Sequence, residues 1–274
     1  MHEILNKLHQ LPAIPAVVEE LIVSFDNPAL DSQKLALKIG QDQALSAKVL
    51  RVANSAFYGL PRQVGSIQEA VTVLGFGTVR SLVLSAGFIG AFSAGGTACV
   101  DRNVYWQRNL AVATYARAIA KCLRQDSEMA FSAGLLCDIG IMVLDLCDRE
   151  RFAALWQNVQ ESGHALIEAE RVALGFDHAE LGAEVARRWK FPTAIEEAIR
   201  HHYQPDHLPF LKLTGIVQAA ALLARFNEEK LPTDEWFERI PQTLSEALQL
   251  DRKLLEKCLP LPEQFEAAKS LILT

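Results

Sequence analysis

The stretch Leu110-Ala-Val-Ala-Thr-Tyr-Ala-Arg-Ala-Ile-Ala-Lys-Cys-Leu123 decides the fold class of this chain. Its apolar residues recur at intervals of three and four, as in Leu110, Ala113, Ala116, Ala120 and Leu123. This spacing puts them on one face of an α-helix, which has about 3.6 residues per turn. The same spacing recurs along the chain, whereas the alternation of apolar and polar residues that is typical of a β-strand is nearly absent. We therefore predict an all-α protein.

Residues that commonly begin helices agree with this prediction. Asp31 and Asp42 precede amphipathic runs, where an aspartate side chain can accept a hydrogen bond from the first free backbone N–H groups. Pro192 precedes the run 193–202, which begins with Thr193-x-x-Glu196, a pattern typical of a capping box. We expect helices to begin at these points.

Length, composition and charge limit the classes of function. The chain has 274 residues, of which 50% are apolar, so it can bury a substantial core in one large domain or two modest ones. The formal net charge is −6 and the sequence contains no dense block of Lys and Arg, and the sequence pI is about 5.7. We therefore expect no nucleic-acid polymer as a partner.

No segment of the sequence is typical of a signal peptide or a membrane span. The start of the chain, from Met1 to Lys7, has neither a basic region nor an uninterrupted apolar stretch. The longest apolar run, from Leu82 to Phe92, is interrupted by Ser85 and two glycines and is too short to cross a bilayer. We expect a cytoplasmic protein with no membrane partner.

The five cysteines of the chain are scattered and include no CxxC pair; they are Cys99, Cys122, Cys137, Cys147 and Cys258. Their odd number and wide spacing argue against a disulfide framework and against a structural zinc site. We interpret most of them as small buried apolar side chains.

Two breaks divide the helical pattern. The small-residue stretch 93–98, Ser-Ala-Gly-Gly-Thr-Ala, separates two blocks of similar size, and a second break lies between Asn227 and Pro232. We predict an N-terminal helical subdomain over residues 1–94, a second helical subdomain over 99–226, and C-terminal helices over 227–274 that pack back on the body.

The N-terminal block carries a series of short motifs in a fixed order. They are Leu11-Pro12-Ala13-Ile14-Pro15, Asn27-Pro28, Asp42-Gln43-Ala44-Leu45, Asn54-Ser55-Ala56-Phe57-Tyr58-Gly59, Ser66-Ile67-Gln68-Glu69-Ala70 and Leu74-Gly75. In this order and spacing they resemble the HDOD family, a helical module found in bacterial signalling proteins. One departure is Gln43, where the family usually has proline, and it affects only how the helix starts.

Two of these motifs allow both a structural and a functional interpretation. Asn54, Ser55, Phe57 and Tyr58 can end a helix and form a turn, or they can present an exposed docking surface for a partner. The segment 75–78, Gly-Phe-Gly-Thr, could offer backbone N–H groups to a phosphate. Because the sequence has no P-loop pattern and no strand before this segment, we interpret it as a tight junction between two helices.

Residues 101 to about 224 resemble the other half of the same family, a divergent relative of the HD-domain phosphohydrolases. The matching segments are Tyr105-Trp106-Gln107-Arg108-Asn109, Ala133-Gly134-Leu135-Leu136-Cys137-Asp138-Ile139-Gly140, Gly175-Phe176-Asp177-His178, Trp189-Lys190-Phe191-Pro192 and His201-His202. The resemblance implies a multi-helical HD-like bundle behind an N-terminal helical HDOD subdomain. It covers nearly the whole chain except the last fifty or so residues.

The resemblance also locates a metal site that has lost ligands. HD-type hydrolases bind divalent metals through histidines and carboxylates from several helices. In this sequence the first histidine is aligned with Arg108, the histidine of the His-Asp pair is Cys137, the aspartate remains as Asp138, and the late aspartate falls at or beside Ala221. The additional histidines of two-metal relatives match His178, His201 and His202, so a residual metal would use these residues with Asp138.

The lost ligands lead to competing hypotheses. Cys137 could bind zinc as a thiolate, whereas a guanidinium at Arg108 would repel a divalent cation and could pair directly with Asp138. The surviving acid and histidines could equally have only structural roles. We expect no cofactor, with a residual divalent metal as the exception, and no confident catalytic residue.

We therefore expect a non-catalytic signalling or scaffold protein that acts through unidentified signalling proteins or a small ligand such as a nucleotide. The alternative is a metal-dependent phosphohydrolase that acts on a nucleotide or cyclic dinucleotide.

Overall fold

The computed structural model describes residues 1–26, 32–55, 58, 60, 62–93, 99–159, 163–204, 209–260 and 265. All of the secondary structure in these ranges is helical, which confirms the all-α prediction. The helices are α1 (His2–Asn6), α2 (Ala16–Val23), α3 (Ser32–Gln41), α4 (Gln43–Ala53), α5 (Ile67–Leu74), α6 (Phe76–Ser93), α7 (Arg102–Cys122), α8 (Ser127–Leu136), α9 (Ile139–Cys147), α10 (Arg149–Asn158), α11 (Gly163–Leu174), α12 (His178–Arg188), α13 (Thr193–His201), α14 (Lys212–Glu228), α15 (Trp236–Arg239), α16 (Gln242–Leu248) and α17 (Arg252–Cys258).

The predicted helix starts have different outcomes. The side chain of Asp42 accepts a hydrogen bond from the backbone N–H of Leu45 and caps α4, as predicted. Asp31 lies outside the described residues. The capping box at Thr193 is wrong, because α13 already begins at Thr193 with Pro192 as its N-cap and without a side-chain cap. Proline fixes the backbone before the helix, so the threonine hydroxyl is no longer in the capping position.

The N-terminal block is built around α6. Helices α2, α4 and α5 pack against α6, and α3 packs against α4 and α5. The junction between α5 and α6 is the single residue Gly75, which has a φ of +84°. Since glycine adopts this conformation without steric cost, α6 can start at once at Phe76, and the prediction of a tight helix junction is confirmed.

The second block contains two interlocking groups of helices. Helix α7 packs along α8 and α14, while α12 packs against α9 and α13, and α13 contacts both α8 and α14. These contacts bring together the turn between α8 and α9, the start of α12 and the end of α13. The candidate site lies where these three segments meet, and Arg108 of α7 contacts it.

Aromatic rings join the two blocks. The ring centroids of Phe88 and Phe92 on α6 lie 5.1 and 6.2 Å from that of Trp189, and Phe88 lies 6.2 Å from Phe191. The residues that match the family's Trp-x-Phe-Pro segment therefore anchor the second block onto the central helix of the first.

The first and last described helices contact the second block. Lys7 Nζ donates to the carbonyl of Cys147 over 3.3 Å, and Arg188 donates to the carbonyl of Leu5 over 3.0 Å. At the other end, α16 packs on α14 and α17 on α7. The first helix thus contacts the second block, although the sequence places it before the N-terminal motifs. The predicted boundary at residues 94–98 lies outside the described residues.

Two helical stretches are long and apolar enough to span a membrane, Phe76–Ser93 and Ser127–Cys147. The core of the protein buries 61% of the first window and 94% of the second. Such burial is typical of core helices, and the second stretch is broken by the turn at Asp138.

Candidate functional site

Asp138 lies at the turn between α8 and α9. It is the N-cap residue of α9, yet its side chain makes no capping hydrogen bond. The residue is only 4% exposed, so its carboxylate requires partners from other helices. Three helices provide them, which makes this buried acid the centre of the site.

Both oxygens of Asp138 face cationic or donor groups. Oδ1 accepts from the hydroxyl of Tyr203 at 3.1 Å and lies 3.1 Å from Nε2 of His202. Nε2 of His178 lies 3.7 Å from the same oxygen. On the other side, Nε of Arg108 lies 3.9 Å from Oδ2. Helices α7 and α12 and the end of α13 are thus connected through one carboxylate.

The two imidazole rings are oriented by their other nitrogens. Nδ1 of His178 is 2.7 Å from Oε2 of Glu170, which also accepts the backbone N–H of His178 at 2.9 Å. Nδ1 of His202 is 2.7 Å from the carbonyl oxygen of Ile199. Because Nδ1 of each ring donates its proton to these acceptors, Nε2 is the nitrogen that faces Asp138.

The surrounding charges shift the pKa values of Asp138 and His178. Burial would raise the pKa of Asp138, but the contacts with His178, His202 and Arg108 hold it well below its ordinary value. Burial would lower the pKa of His178, but the carboxylates of Asp138 and Glu170 raise it from 6.5 to about 10. At neutral pH the site therefore contains an imidazolium between two carboxylates.

Cys137 stays a thiol in this environment. Its sulfur donates to Oδ1 of Asn109 over 3.6 Å, and burial together with the neighbouring Asp138 raises its pKa well above the ordinary value. Asn109 in turn donates to the carbonyl of Tyr105. A buried thiol that is already hydrogen-bonded is a poor metal ligand and a poor nucleophile.

Arg108 approaches the site from the solvent side. Its side chain is 35% exposed, whereas that of Asp138 is 5% exposed. Burial alone would lower its pKa, but Tyr203 and Asp138 raise it, so the guanidinium is a permanent cation at the mouth of the pocket.

Three side chains of the pocket could hold a metal ion, and an arginine faces one of them. The ligand atoms of Cys137, Asp138 and His202 lie within 4.8 Å of one another. Of these three, however, only the carboxylate and the imidazole are suitable donors, and the guanidinium of Arg108 faces the second oxygen of the carboxylate. A catalytic site needs about three protein ligands and an open position for water. In this pocket the guanidinium of Arg108 lies 3.9 Å from the second oxygen of the carboxylate.

The structure brings together most of the residues that the sequence singled out. Arg108, Cys137, Asp138, His178 and His202 meet in one pocket. His201 instead contacts Oε2 of Glu197 at 3.3 Å and the side chain of Gln204 at 2.9 Å. Ala221 is half-buried and packs against the apolar core.

Sequence reasoning missed two members of the pocket. Glu170 is fully buried and orients His178, and Tyr203 bonds Asp138 directly. The adjacency of Tyr203 to His202 was the only signal for the tyrosine. Nothing in the local sequence shows whether Glu168 or Glu170 orients His178. Only the tertiary contact between α11 and the start of α12 identifies Glu170.

The Asn54 region has internal contacts. The amide of Asn54 donates to the carbonyl of Val64 at 2.9 Å and accepts from its N–H at 2.7 Å. The hydroxyl of Ser55 is buried. Tyr58 hydrogen-bonds Arg117 of α7. Phe57 lies outside the described residues. These contacts give Asn54 and Tyr58 structural roles, and a docking function of this corner stays a prediction.

An all-helical bundle with an acid at the turn between two helices, facing histidines from two others, defines a protein of the HD-like class. The HDOD domain family matches residues 11–205, and the chain belongs to this family.

Solved structures agree with this assignment. A proposed phosphohydrolase from Shewanella amazonensis SB2B is 30% identical, with a TM-score of 0.82 and 98% of each chain covered. An HDOD domain protein of unknown function from Geobacter sulfurreducens is 24% identical, with a TM-score of 0.78 over 96% of this chain and 94% of that one. A proposed signal transduction protein from Marinobacter aquaeolei VT8 is also 24% identical, with a TM-score of 0.72 over 98% and 60%. The chain spans about half the length of the curated relative that it matches.

Proposed function

We propose that this chain is a non-catalytic signalling module, which acts in the cytoplasm by binding a protein partner or a small ligand. The observation that carries the proposal is the guanidinium of Arg108, 3.9 Å from the carboxylate of Asp138. An HD-type hydrolase would have a metal ligand at the position of Arg108. Here that position holds a cation.

The charge balance of the pocket supports this proposal. Asp138 is already neutralised by the protonated His178 and by Arg108, and its Oδ1 accepts from Tyr203. A divalent ion would have to displace the proton of His178 and approach within a few ångströms of Arg108. Both requirements oppose binding, because like charges repel and because two carboxylates hold the proton of His178.

Without a metal, the role of these residues is to hold the helices in place. Asp138 connects Arg108 of α7, His178 of α12 and the pair His202 and Tyr203 at the end of α13 to the turn between α8 and α9. The carboxylate therefore fixes the relative positions of four helical elements. A ligand or partner that engaged Arg108 would compete with this contact and could shift α7 against the other helices, which is a simple way to relay binding.

Family membership supports the signalling role, since the HDOD resemblance implies partners in bacterial signalling. The partner itself is a protein of unidentified chemistry, and a nucleotide is the small ligand that fits a clamp by Arg108. The negative net charge supports a partner other than a nucleic-acid polymer.

One observation favours a second function, metal-dependent hydrolysis of a phosphoester such as a nucleotide or cyclic dinucleotide. The hydrogen bond from His178 to Glu170 is the kind of second contact that orients a metal-binding histidine, and it leaves Nε2 facing Asp138. The 30% identical structure is also named as a proposed phosphohydrolase.

Metal analysis and turnover separate the two functions. The full chain is purified with manganese, iron or magnesium supplied in excess, its metal content is measured, and hydrolysis of a panel of phosphoesters is compared with that of the Asp138→Asn variant. We expect substoichiometric metal and no turnover above the variant. Stoichiometric metal together with hydrolysis that Asp138→Asn abolishes would establish the hydrolase instead.

A thermal-shift screen of the same preparation with nucleotides then separates a ligand-binding module from a scaffold. Binding to the folded state raises the unfolding temperature, and the shift grows with the logarithm of the ligand concentration above Kd. A shift that Arg108→Met removes identifies a nucleotide clamp. The absence of any shift favours a role through protein contacts alone.

A further inference from the structure

A groove of about 620 Å³ opens on the surface of the C-terminal helices. It lies between α15, α16 and the start of α17, beyond residue 205, where the match to the family ends. Its lining residues differ from those of the Asp138 pocket and form a mostly apolar wall with an acidic rim. The wall and rim include Phe237, Glu238, Ile240, Glu246, Leu250 and Asp251.

The apolar wall comes from residues at the ends of the short helices. Ile240 follows α15, Leu250 lies between α16 and α17, and both side chains are almost fully buried. Phe237 is only partly buried and packs against the same core. Its ring can therefore still contact an apolar side chain that enters the groove.

The carboxylates of the rim are held in place by contacts within the C-terminal helices. Glu246 accepts from Nε2 of Gln242, one turn earlier on α16, over 2.7 Å. Asp251 caps the start of α17, and Glu238 pairs with Arg252. The side chain of Glu238 is 54% exposed, and Glu246 is also exposed. The rim thus presents fixed negative charges to solvent.

The negative charge extends beyond the rim. Residues 231–256 contain six acidic and three basic residues, so half of the formal net charge of −6 comes from this segment. Charge of one sign around a groove attracts a partner of the opposite sign and disfavours a partner of the same sign. A cationic segment is therefore a better occupant than a second copy of this acidic chain.

We propose that this groove docks a basic amphipathic segment of a partner protein. An apolar side chain of the segment packs on Phe237, and its Lys or Arg side chains pair with Glu238 and Glu246. Gln249 adds an exposed amide to the lining, which can donate to and accept from a peptide backbone. The apolar wall provides the contact area, and the acidic rim selects cationic sequences.

This inference rests on the proposed function only for the existence of a protein partner. The groove and the Asp138 pocket have different lining residues, and the test below involves neither a metal nor a nucleotide. The two proposals can therefore fail separately.

Binding of the full chain to a labelled peptide tests the proposal by fluorescence anisotropy. The probe is a peptide of about twelve residues, with leucines on one face of a helix and lysines on the other. Two control peptides replace either the leucines with serines or the lysines with glutamates. We expect the first peptide to bind at least about tenfold more tightly than either control, because it alone matches both the wall and the rim.

A charge reversal on the rim locates the binding. Glu246→Lys should weaken binding of the leucine–lysine peptide about fivefold. Glu168→Lys is the matched control, because it makes the same change of charge at an exposed position of α11 outside the groove, and it should leave the affinity unchanged. Equal affinities of the two variants would overturn the proposal.

Amide NMR of the unmodified chain gives the answer even if Glu246→Lys folds poorly. Peptide-induced shifts centred on residues 237–251 support the proposal, whereas shifts centred elsewhere or no shifts at all contradict it. Sedimentation of the chain alone tests the other occupant. A dimer that Glu246→Lys dissociates would assign the groove to a second copy, and the proposal would be wrong.

Discussion

Nε of Arg108 lies 3.9 Å from Oδ2 of Asp138, so a cation from α7 faces the carboxylate that the family resemblance assigns to the HD-type ligand set. The opposite oxygen of this carboxylate is engaged by His202 and Tyr203. The arrangement balances the negative charge of a buried acid within the protein itself. We propose that Arg108 acts as a structural counter-ion at a position where the family resemblance implies a metal ligand.

Removal of the guanidinium should raise the affinity of the pocket for divalent ions. Arg108→Met keeps much of the side-chain volume and removes the charge that faces Asp138, so we expect the affinity for Mn²⁺ or Zn²⁺ to rise by about tenfold, or ~1.4 kcal/mol. Titration calorimetry measures this change. Arg225→Met is the matched control, because Arg225 pairs with the surface acid Glu229. Equal affinities in Arg108→Met and the unmodified chain would contradict the charge argument.

Asp138→Asn should destabilise the fold. The substitution keeps the shape of the side chain but leaves the imidazolium of His178 and the guanidinium of Arg108 without their shared anion. Loss of one partner from a buried ion pair costs about 3–5 kcal/mol, which denaturant unfolding would register as a lower midpoint at an unchanged slope. Asp234→Asn, at an exposed position, should change the free energy of unfolding by less than about 0.5 kcal/mol.

The stability should also fall as the pH rises above neutrality. The pKa of His178 is raised from 6.5 to about 10 in the folded protein. The folded state therefore holds a proton that the unfolded state has released. Its stabilising effect is complete below pH 6.5 and is lost as the pH approaches 10. Within this window the free energy of unfolding should fall by at most about 1.4 kcal/mol per pH unit.

Two measurements check this slope. Denaturant unfolding between about pH 6.5 and 7.5 avoids most of the titration of unfolded cysteine and tyrosine, and His178→Asn should flatten the curve while lowering it throughout. NMR of the imidazole nitrogens of the unmodified chain reports the proton directly. A neutral His178 ring at pH 7.5 would contradict the expected charge of the pocket.

The sequence predicted the helices well because the spacing of apolar residues within one helix can be read from neighbouring residues, as in α7. It could not choose between His201 and His202, since adjacent residues on a helix differ by about 100° in direction. The helix α13 ends at His201, and only the packed structure directs His202 toward Asp138 and His201 toward Glu197. Identification of the acid at Asp138 rested on the family resemblance, whereas the role of Glu170 required tertiary structure.

The Asn54 motif shows the same limit. Its sequence predicted a helix end, and Asn54 is the C-cap of α4. The paired hydrogen bonds to the backbone of Val64 connect residues ten positions apart, however, and no local pattern predicts them. Side chains that bridge two segments in this way become visible only once both segments are placed.

The close approach of α9 and α12 at Gly140 should be the most sensitive point of the site. A Cβ added to Gly140 would overlap the carbonyl oxygen of His178 and would lie 3.0 Å from the backbone nitrogen of Gly182. Backbone atoms of two packed helices cannot move aside as a flexible side chain can. Gly140→Ala must therefore push α12 away from α9, which also moves His178 from Asp138.

We expect Gly140→Ala to lower the free energy of unfolding by about 3 kcal/mol or more, at the upper end of the cost of overpacking. Gly65→Ala is the matched control, because its added Cβ would meet no atom within 4 Å. Denaturant unfolding of both variants gives the comparison, and the imidazole resonances of His178 report whether the contact with Asp138 is lost. If Gly140→Ala unfolded like Gly65→Ala, the two helices could not be packed backbone to backbone, and the geometry that directs His178 toward Asp138 would need another cause.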